Sequence, residues 1–256
     1  MRISAAIITF NEEHNIARCL DSLKGVADEI VVVDSFSKDG TEAICRNHGV
    51  RFIPHAFEGH IQQKNFAIDQ CAFEWVLSLD ADEALDGRLR ESILRVKSAP
   101  THDGYKMNRL TQYCGHWVRH CGWYPDTKVR LVRKGQARWT GINPHDRLEM
   151  LAGEEVLHLE GDILHYSYYT RDDHLKQIEY FSNIAARELD QRGRSTSWPM
   201  IGLKMIAQFL KSFLLKRGFL DGRTGFTISR LSAYATYRKY RKLMELQRLR
   251  QTASAQ

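Results

Sequence analysis

The sequence predicts an α/β fold: a mostly parallel sheet flanked by helices, with a basic helical extension at the C-terminus. Three observations predict it. The first hundred residues alternate short β-branched runs with helix patterns, the connections between them are short, and residues 198–256 read as helices rich in Lys and Arg.

The apolar run Ile3 to Phe10 is the first strand, and Asn15 to Leu23 follows with helical spacing. A second strand, Glu29 to Asp34, and a second helix, Thr41 to His48, repeat the unit. Val50 to Ile53, a helix over Gln62 to Cys71, and the run from Trp75 to Asp80 complete four strand segments. Continuous Val and Ile runs between helices describe strands buried on both faces, and ligands are then expected at their carboxyl ends. From Gly104 to Trp139 the pieces are shorter and β-rich, and these extend the sheet with antiparallel strands. Thr170, with Asp173 three residues on, opens a helix to about Leu189. Two further helices are expected over Met200 to Lys216 and Thr224 to Arg250, separated by the turn Gly218 to Gly225.

A length of 256 residues suits one large α/β domain with a helical appendage, and the expected division is 1–195 and 196–256. The five cysteines are odd in number and scattered, which predicts a reduced, cytoplasmic protein. The apolar stretch Trp198 to Leu215 is interrupted by Lys204 and Lys211, so it falls short of the roughly 20 apolar residues of a membrane span. The net charge of +6 conceals an asymmetry: residues 198–256 carry +10 and residues 1–197 carry −4. Such a tail seeks a polyanionic surface. No groove-reading or stacking motif accompanies the charge, so anionic lipid is favoured over nucleic acid.

Polar clusters follow three strands: Thr9-Phe10-Asn11-Glu12-Glu13, Asp34-Ser35-Phe36-Ser37-Lys38-Asp39-Gly40-Thr41 and Asp80-Ala81-Asp82-Glu83. Carboxylates as crowded as Asp80, Asp82 and Glu83 repel one another, and a hard divalent cation, Mg²⁺ or Mn²⁺, would neutralise them and hold a phosphate. An acidic turn with Asp86 capping the next helix explains the same residues without a ligand. Neither G-x-G-x-x-G nor G-x-x-x-x-G-K-[ST] follows the first strand, which argues against dinucleotide redox chemistry and P-loop hydrolysis.

Over residues 3 to about 150 the chain resembles the inverting family 2 glycosyltransferases, which have a GT-A (Rossmann-like) nucleotide-sugar-binding fold. The resemblance rests on Ile7-Ile8-Thr9-Phe10-Asn11-Glu12, on Val31-Val32-Val33-Asp34 with the Ser35 to Thr41 loop, and on Asp80-Ala81-Asp82 as the metal motif. Within the family it is similar to the branch that adds β-linked glucose to lipopolysaccharide inner-core heptose, where Gly218-Phe219-Leu220-Asp221-Gly222 and a basic helical tail also recur. The resemblance implies a UDP-glucose donor, a heptose-bearing lipid-linked acceptor and Mg or Mn. Another cell-envelope or polyprenyl-linked acceptor is the alternative, and a sugar nucleotidyltransferase is the more distant one. The first strand lacks the Gly- and Arg-rich loop which that last class carries.

The resemblance assigns Thr9, Asn11, Glu12, Asp34, Asp39, Lys64 and Asp80 to donor binding, and Asp80 and Asp82 to the metal. Two departures stand out. Ser35 replaces a second acidic residue, and Lys64-Asn65 replaces an Arg-Asn pair, keeping the charge but losing the planar fork. Inverting transfer also needs a base for the acceptor hydroxyl, and in Trp139 to Asp146 the acidic position after His145 is Asp146. Asp146 is the expected base with His145 as its neighbour, Glu149 is the understudy, and a turn closed by His-Asp is the plain reading.

His165 is either a third metal ligand or a hydrogen-bonded core residue. Cys114 to Cys121 does not match the paired knuckles of zinc sites, and an acceptor-side loop is expected instead, with Trp117 and Trp123 able to stack on sugar faces. The tail from Trp198 fits a helix lying in the interface of an anionic membrane, a helix packed on the catalytic domain, or both. Together these readings place the protein peripherally at the cytoplasmic face of an inner membrane.

Overall fold

The computed structural model describes residues 1–142, 145–153 and 155–254, with His145 and residues 251–254 described by backbone alone. Chain contacts divide it into two compact units, residues 1–110 with 125–166 and residues 111–124 with 167–256. The expected boundary near residue 195 follows the change in charge. The contacts change earlier, at residue 167.

The first unit is built on strands β1 (Ile3–Thr9), β2 (Glu29–Asp34), β3 (Arg51–Pro54) and β4 (Trp75–Asp80), all parallel. Helices α1 (Ile16–Ser22), α2 (Thr41–Asn47) and α3 (His60–Gln70) connect them. The short β5 (Glu83–Leu85) and α4 (Gly87–Ser98) follow, and Asp86 caps α4 by accepting from Leu89 N–H at 2.7 Å. Strands β6 (Gly104–Tyr113), β7 (His116–Trp117), β8 (Asp126–Arg133) and β11 (Val156–Tyr168) extend the sheet, while β9 (Ala137–Ile142) and β10 (His145–Met150) form a separate two-stranded hairpin. The sheet order is β3-β2-β1-β4-β8-β6-β11-β5, with β7 on β6. The parallel half and its antiparallel extension meet where β4 pairs with β8.

Successive residues of a strand face opposite sides, and β1 sorts accordingly. Ile3, Ala5 and Ile7 join one core with Leu77 and Leu79, under Leu20 of α1, Cys45 of α2 and Ile93 of α4. Ala6 joins the other with Val31, Val33 and Val76, under Ala67 and Ile68 of α3 and Trp139 and Leu148 of the hairpin. Both faces are covered, which is why these strands read as unbroken apolar runs. Within β11, Gly161 has φ of +102°, and a Cβ there would lie 2.2 Å from Leu89 N. Only glycine lets the start of α4 approach the strand so closely.

In the second unit, α5 (Arg171–Gln191) and α6 (Trp198–Leu210) each pack on the 33-residue α7 (Gly222–Ser254). A π turn, Lys211–Leu215, and a 3₁₀ turn, Gly218–Asp221, link α6 to α7. Thr170 and Asp173 form the capping box expected at the start of α5. Glu179 of α5 pairs with Arg238 and Lys242 of α7 at 2.7 and 2.6 Å. At the junction with α7, a Cβ on Gly225 would lie 1.8 Å from Gly218 O, so the two glycines set how tightly the turn closes.

The core of this unit is aromatic. Tyr113, Trp123, Tyr168 and His174 have ring centroids within 4.9 to 6.0 Å of one another. His174 is buried, and burial pushes its pKa from 6.5 down to about 4. A neutral imidazole here stabilises the fold above pH 6.5, and that contribution is lost as pH falls towards 4. Urea unfolding of this unit should therefore lose about 2 kcal/mol between pH 7.5 and pH 5, and a His174→Phe variant should lose that much less of its stability over the same interval.

Candidate active site

The strand register brings the polar loops together. Thr9 of β1 pairs with Asp34 of β2, and Ile8 pairs with Asp80 of β4, so Thr9, Asp34 and Asp80 end their strands side by side. The loops beyond are stitched to each other. Asn11 N–H donates to Ser37 Oγ at 2.8 Å, and Lys38 N–H donates to Asn11 Oδ1 at 2.8 Å. Glu12 N–H donates to Thr41 Oγ1 at 2.8 Å, and Glu13 N–H donates to Asp39 Oδ2 at 3.1 Å.

Several expected donor-binding residues thus also build the site. Asp34 is buried, and its carboxylate accepts Ser37 N–H at 2.8 Å. Asp39 accepts from Thr41 N–H and Oγ–H at 3.0 and 2.6 Å. Burial opposes its charge, but these donors hold its pKa below the ordinary carboxylate value. Glu12 is the opposite case: burial, and the carboxylates of Asp82, Asp39 and Asp80, raise its pKa. Thr9 Oγ1 is buried and makes no hydrogen bond among the described residues. Asn11 and Phe36 have φ of 54° and 62°, and each side chain in that region costs of order 1–3 kcal/mol.

The acidic cluster is neutralised from within. Glu83 is fully buried and accepts from Arg130 Nη2 at 2.9 Å, from Arg109 Nη1 at 3.5 Å and from Asp80 N–H at 3.0 Å. Arg109 also pairs with Asp126 at 2.8 Å. Arg130 lies over the Trp139 ring at 5.1 Å, and its Nε and Nη1 are buried without a hydrogen-bond partner among the described residues. Lys64 Nζ sits between Asp80 at 3.0 Å and Asp146 at 2.8 Å, over Trp139 at 4.2 Å. Burial would raise the Asp80 pKa, yet Lys64 and Arg130 hold it well below the usual range. Beside Lys64, whose charge the sequence placed at this site, the guanidiniums of Arg109 and Arg130 neutralise these carboxylates.

Asp82 faces a different partner. Strand β5 pairs antiparallel with β11, with Glu83 opposite His165, and Tyr166 N–H donates to Asp82 O at 2.9 Å. That register sets His165 Nε2 3.1 Å from Asp82 Oδ2. Burial alone would lower the His165 pKa, but the Asp82 carboxylate raises it. Among the described residues no three His, Cys, Asp or Glu side chains are gathered closely enough to hold a metal ion. Asp82 and His165 offer one oxygen and one nitrogen donor, and of these the carboxylate is the type that suits Mg²⁺ or Mn²⁺.

Asp146 and Glu149 sit on opposite faces of β10, being an odd number of residues apart. Asp146 shares its face with buried Leu148 and meets Lys64. Glu149 accepts from Thr140 Oγ–H and pairs with Arg147, and these contacts lower its pKa. Asn65 secures the hairpin to α3, donating to Trp139 O and accepting from Trp139 N–H, both at 3.0 Å. The His145 side chain and residues 143 and 144 lie outside the described residues.

Trp117 and Trp123 belong to the second unit, where Trp123 is part of the aromatic core. In the Cys114 to Cys121 segment, His120 N–H and Nδ1 meet the two oxygens of buried Asp221, each at 2.9 Å, and Cys121 packs against Gly225 and Ser229. The histidine and thiol thus serve this fold as anchors.

A family model described as glycosyl transferase family 2 matches residues 4–152, more than half of the chain. The chain is a family 2 glycosyltransferase. The helix-flanked sheet with its C-terminal helices is the GT-A type of α/β fold that the sequence predicted. An uncharacterised glycosyltransferase of Rickettsia typhi is 31% identical over 91% of this chain and 84% of its own length. The lipopolysaccharide core biosynthesis glycosyltransferase LpsC of Rhizobium meliloti is 27% identical over 90% of each chain. The S. aureus TarS structure with UDP-GlcNAc is 16% identical with a TM-score of 0.48, covering 97% of this chain and 92% of that one.

In this glycosyltransferase the residues that sequence reasoning missed are basic. Arg130 lies in the apolar run Val129-Arg130-Leu131-Val132, and a guanidinium in such a strand signals a buried carboxylate partner. Removing one member of a buried ion pair costs about 3–5 kcal/mol, so Glu83→Gln should lower unfolding free energy by about that amount in a urea titration.

Proposed function

We propose that this glycosyltransferase moves glucose from UDP-glucose, with inversion, to a heptose of a lipid-linked lipopolysaccharide core acceptor at an anionic membrane surface. The observation that carries the reading is the Asp80–Lys64–Asp146 bridge beside the Asp82–His165 pair at the carboxyl edge of the sheet. Likeness to LpsC over nearly its whole length supports the acceptor class.

Thr9, Asn11, Glu12, Asp34 and Asp39 shape the nucleotide end of the site. Lys64 turns its ammonium to the diphosphate, whose charge competes with Asp80 and Asp146 for it. Asp82 and His165, with Asp80 beside them, are the residues that would hold Mg²⁺ or Mn²⁺, and the ion would supply charge neutralisation for the diphosphate. Asp146 takes the proton of the acceptor hydroxyl as that oxygen attacks the anomeric carbon from the face opposite the leaving group. Glu149 is engaged by Thr140 and Arg147 on the other hairpin face, which favours Asp146 as base. His145 stands next to the base in sequence, and Trp117 and Trp123 belong to the segment assigned to the acceptor.

The second unit supports the membrane surface. Leu203, Ile206 and Leu215 are 64%, 60% and 79% exposed, and Met200, Leu210, Leu214, Phe219 and Leu220 are exposed with them. Lys204, Lys211, Lys216 and Arg217 lie among them, and no acidic residue occurs between Trp198 and Leu220. Apolar and basic groups so interleaved match the boundary between anionic headgroups and acyl chains. No helix among the described residues is long and apolar enough to cross a membrane.

UDP release from UDP-glucose, measured with a heptose-terminated lipid acceptor, should need Mg²⁺ or Mn²⁺ and stop with EDTA. Asp82→Asn and Asp146→Asn should each lower the rate at least about a hundredfold, as expected when a charge-stabilising group or a general base is removed. Turnover with a polyprenyl-linked acceptor in place of the heptose lipid would move the assignment to that class. In co-sedimentation, the protein should bind phosphatidylglycerol vesicles but not phosphatidylcholine vesicles. A Leu203→Glu, Ile206→Glu double variant should lose that binding while still binding UDP.

A further inference from the structure

Phe36 has φ of 62°, a left-handed conformation in which a Cβ crowds the backbone and which glycine adopts freely. Its side chain is 59% exposed, so packing within the protein offers little return for that strain. The turn that presents it is fixed on both sides. Ser37 N–H is held by Asp34, and Ser37 Oγ accepts from Asn11 N–H on the neighbouring loop. A bulky ring kept strained and uncovered on a rigid turn at the ligand edge of a sheet points to a ligand as its packing partner.

The strand order indicates which part of the ligand it meets. Phe36 follows β2, and the Asp80 and Asp82 carboxylates follow β4, with β1 between them. Neighbouring strands are about 4.8 Å apart, which separates the two loops by on the order of 10 Å. A nucleoside diphosphate has its base and its phosphates at opposite ends of a ribose, a span of that order. The base is also the one part of such a donor that offers a flat π-face to a phenyl ring.

We propose that Phe36 stacks on the nucleobase of the donor and sets how much of the donor's affinity comes from the base. This rests on the nucleotide-sugar reading above. The ring then contributes to ground-state binding of the nucleotide and leaves the diphosphate contacts unchanged.

The test is calorimetric titration of UDP and of inorganic pyrophosphate, each with Mn²⁺, into wild type, Phe36→Gly and Phe36→Tyr. Base stacking of this kind is worth about tenfold in affinity, so Phe36→Gly should weaken UDP by about that factor and Phe36→Tyr should restore it. Pyrophosphate affinity should not change, and the Phe36→Gly melting temperature should be no lower than that of wild type. Equal UDP affinity in wild type and Phe36→Gly would overturn the stacking role. So would equal weakening of UDP and pyrophosphate, which would mean that the substitution disturbs the loop. Failure of wild type itself to bind UDP would overturn the nucleotide-sugar reading.

Discussion

The first unit depends on keeping several carboxylates ionised at the edge of a buried sheet. An unpaired buried charge is untenable, so each acidic group must find a cation or a set of donors. Glu83 answers with two guanidiniums and in turn fixes the Asp80 backbone. Lys64 joins Asp80 to Asp146 and so ties α3 and the β9–β10 hairpin to the end of β4. Because these contacts share partners, Asp80, Lys64 and Asp146 are one electrostatic unit. A change at either end would alter the charge balance at the other.

The second unit meets a different constraint. Its helices gain their stability by packing on α7, and surface pairs such as Arg192–Glu188 add little. Yet α6 leaves much of its apolar surface uncovered while its neighbour α7 buries Ile228, Leu231 and Leu243. The uncovered apolar residues of α6 are the surface on which the proposed membrane contact rests.

How much was legible in the sequence follows from how local each signal is. The parallel strands, the capping box at Thr170 and the polar loops after β1, β2 and β4 were readable because each is encoded within a few residues. The hairpin at Ala137–Met150 and the pairing of β5 with β11 were not, since they join segments whose own patterns are weak or far apart. The same holds for charge: the acidic cluster and Lys64 were visible, but Arg109 and Arg130 reach it from other elements. Asp34 and Asp39 looked like ligand groups only, whereas their carboxylates also hold the loops in shape. Composition divides the chain by charge, at about residue 195, whereas packing joins α5 to α7 and divides it at residue 167.

The pairing of β5 with β11 also bears on how the protein is made. The four parallel strands all lie before residue 81 and leave the ribosome first. Asp82 has no imidazole partner, and Glu83 no guanidinium, until the segments carrying His165, Arg109 and Arg130 have been synthesised. Lys64 is already present to pair with Asp80, but Asp82 lacks its imidazole until β11 has been made. Chains cut short before β11 would contain the four parallel strands and lack His165.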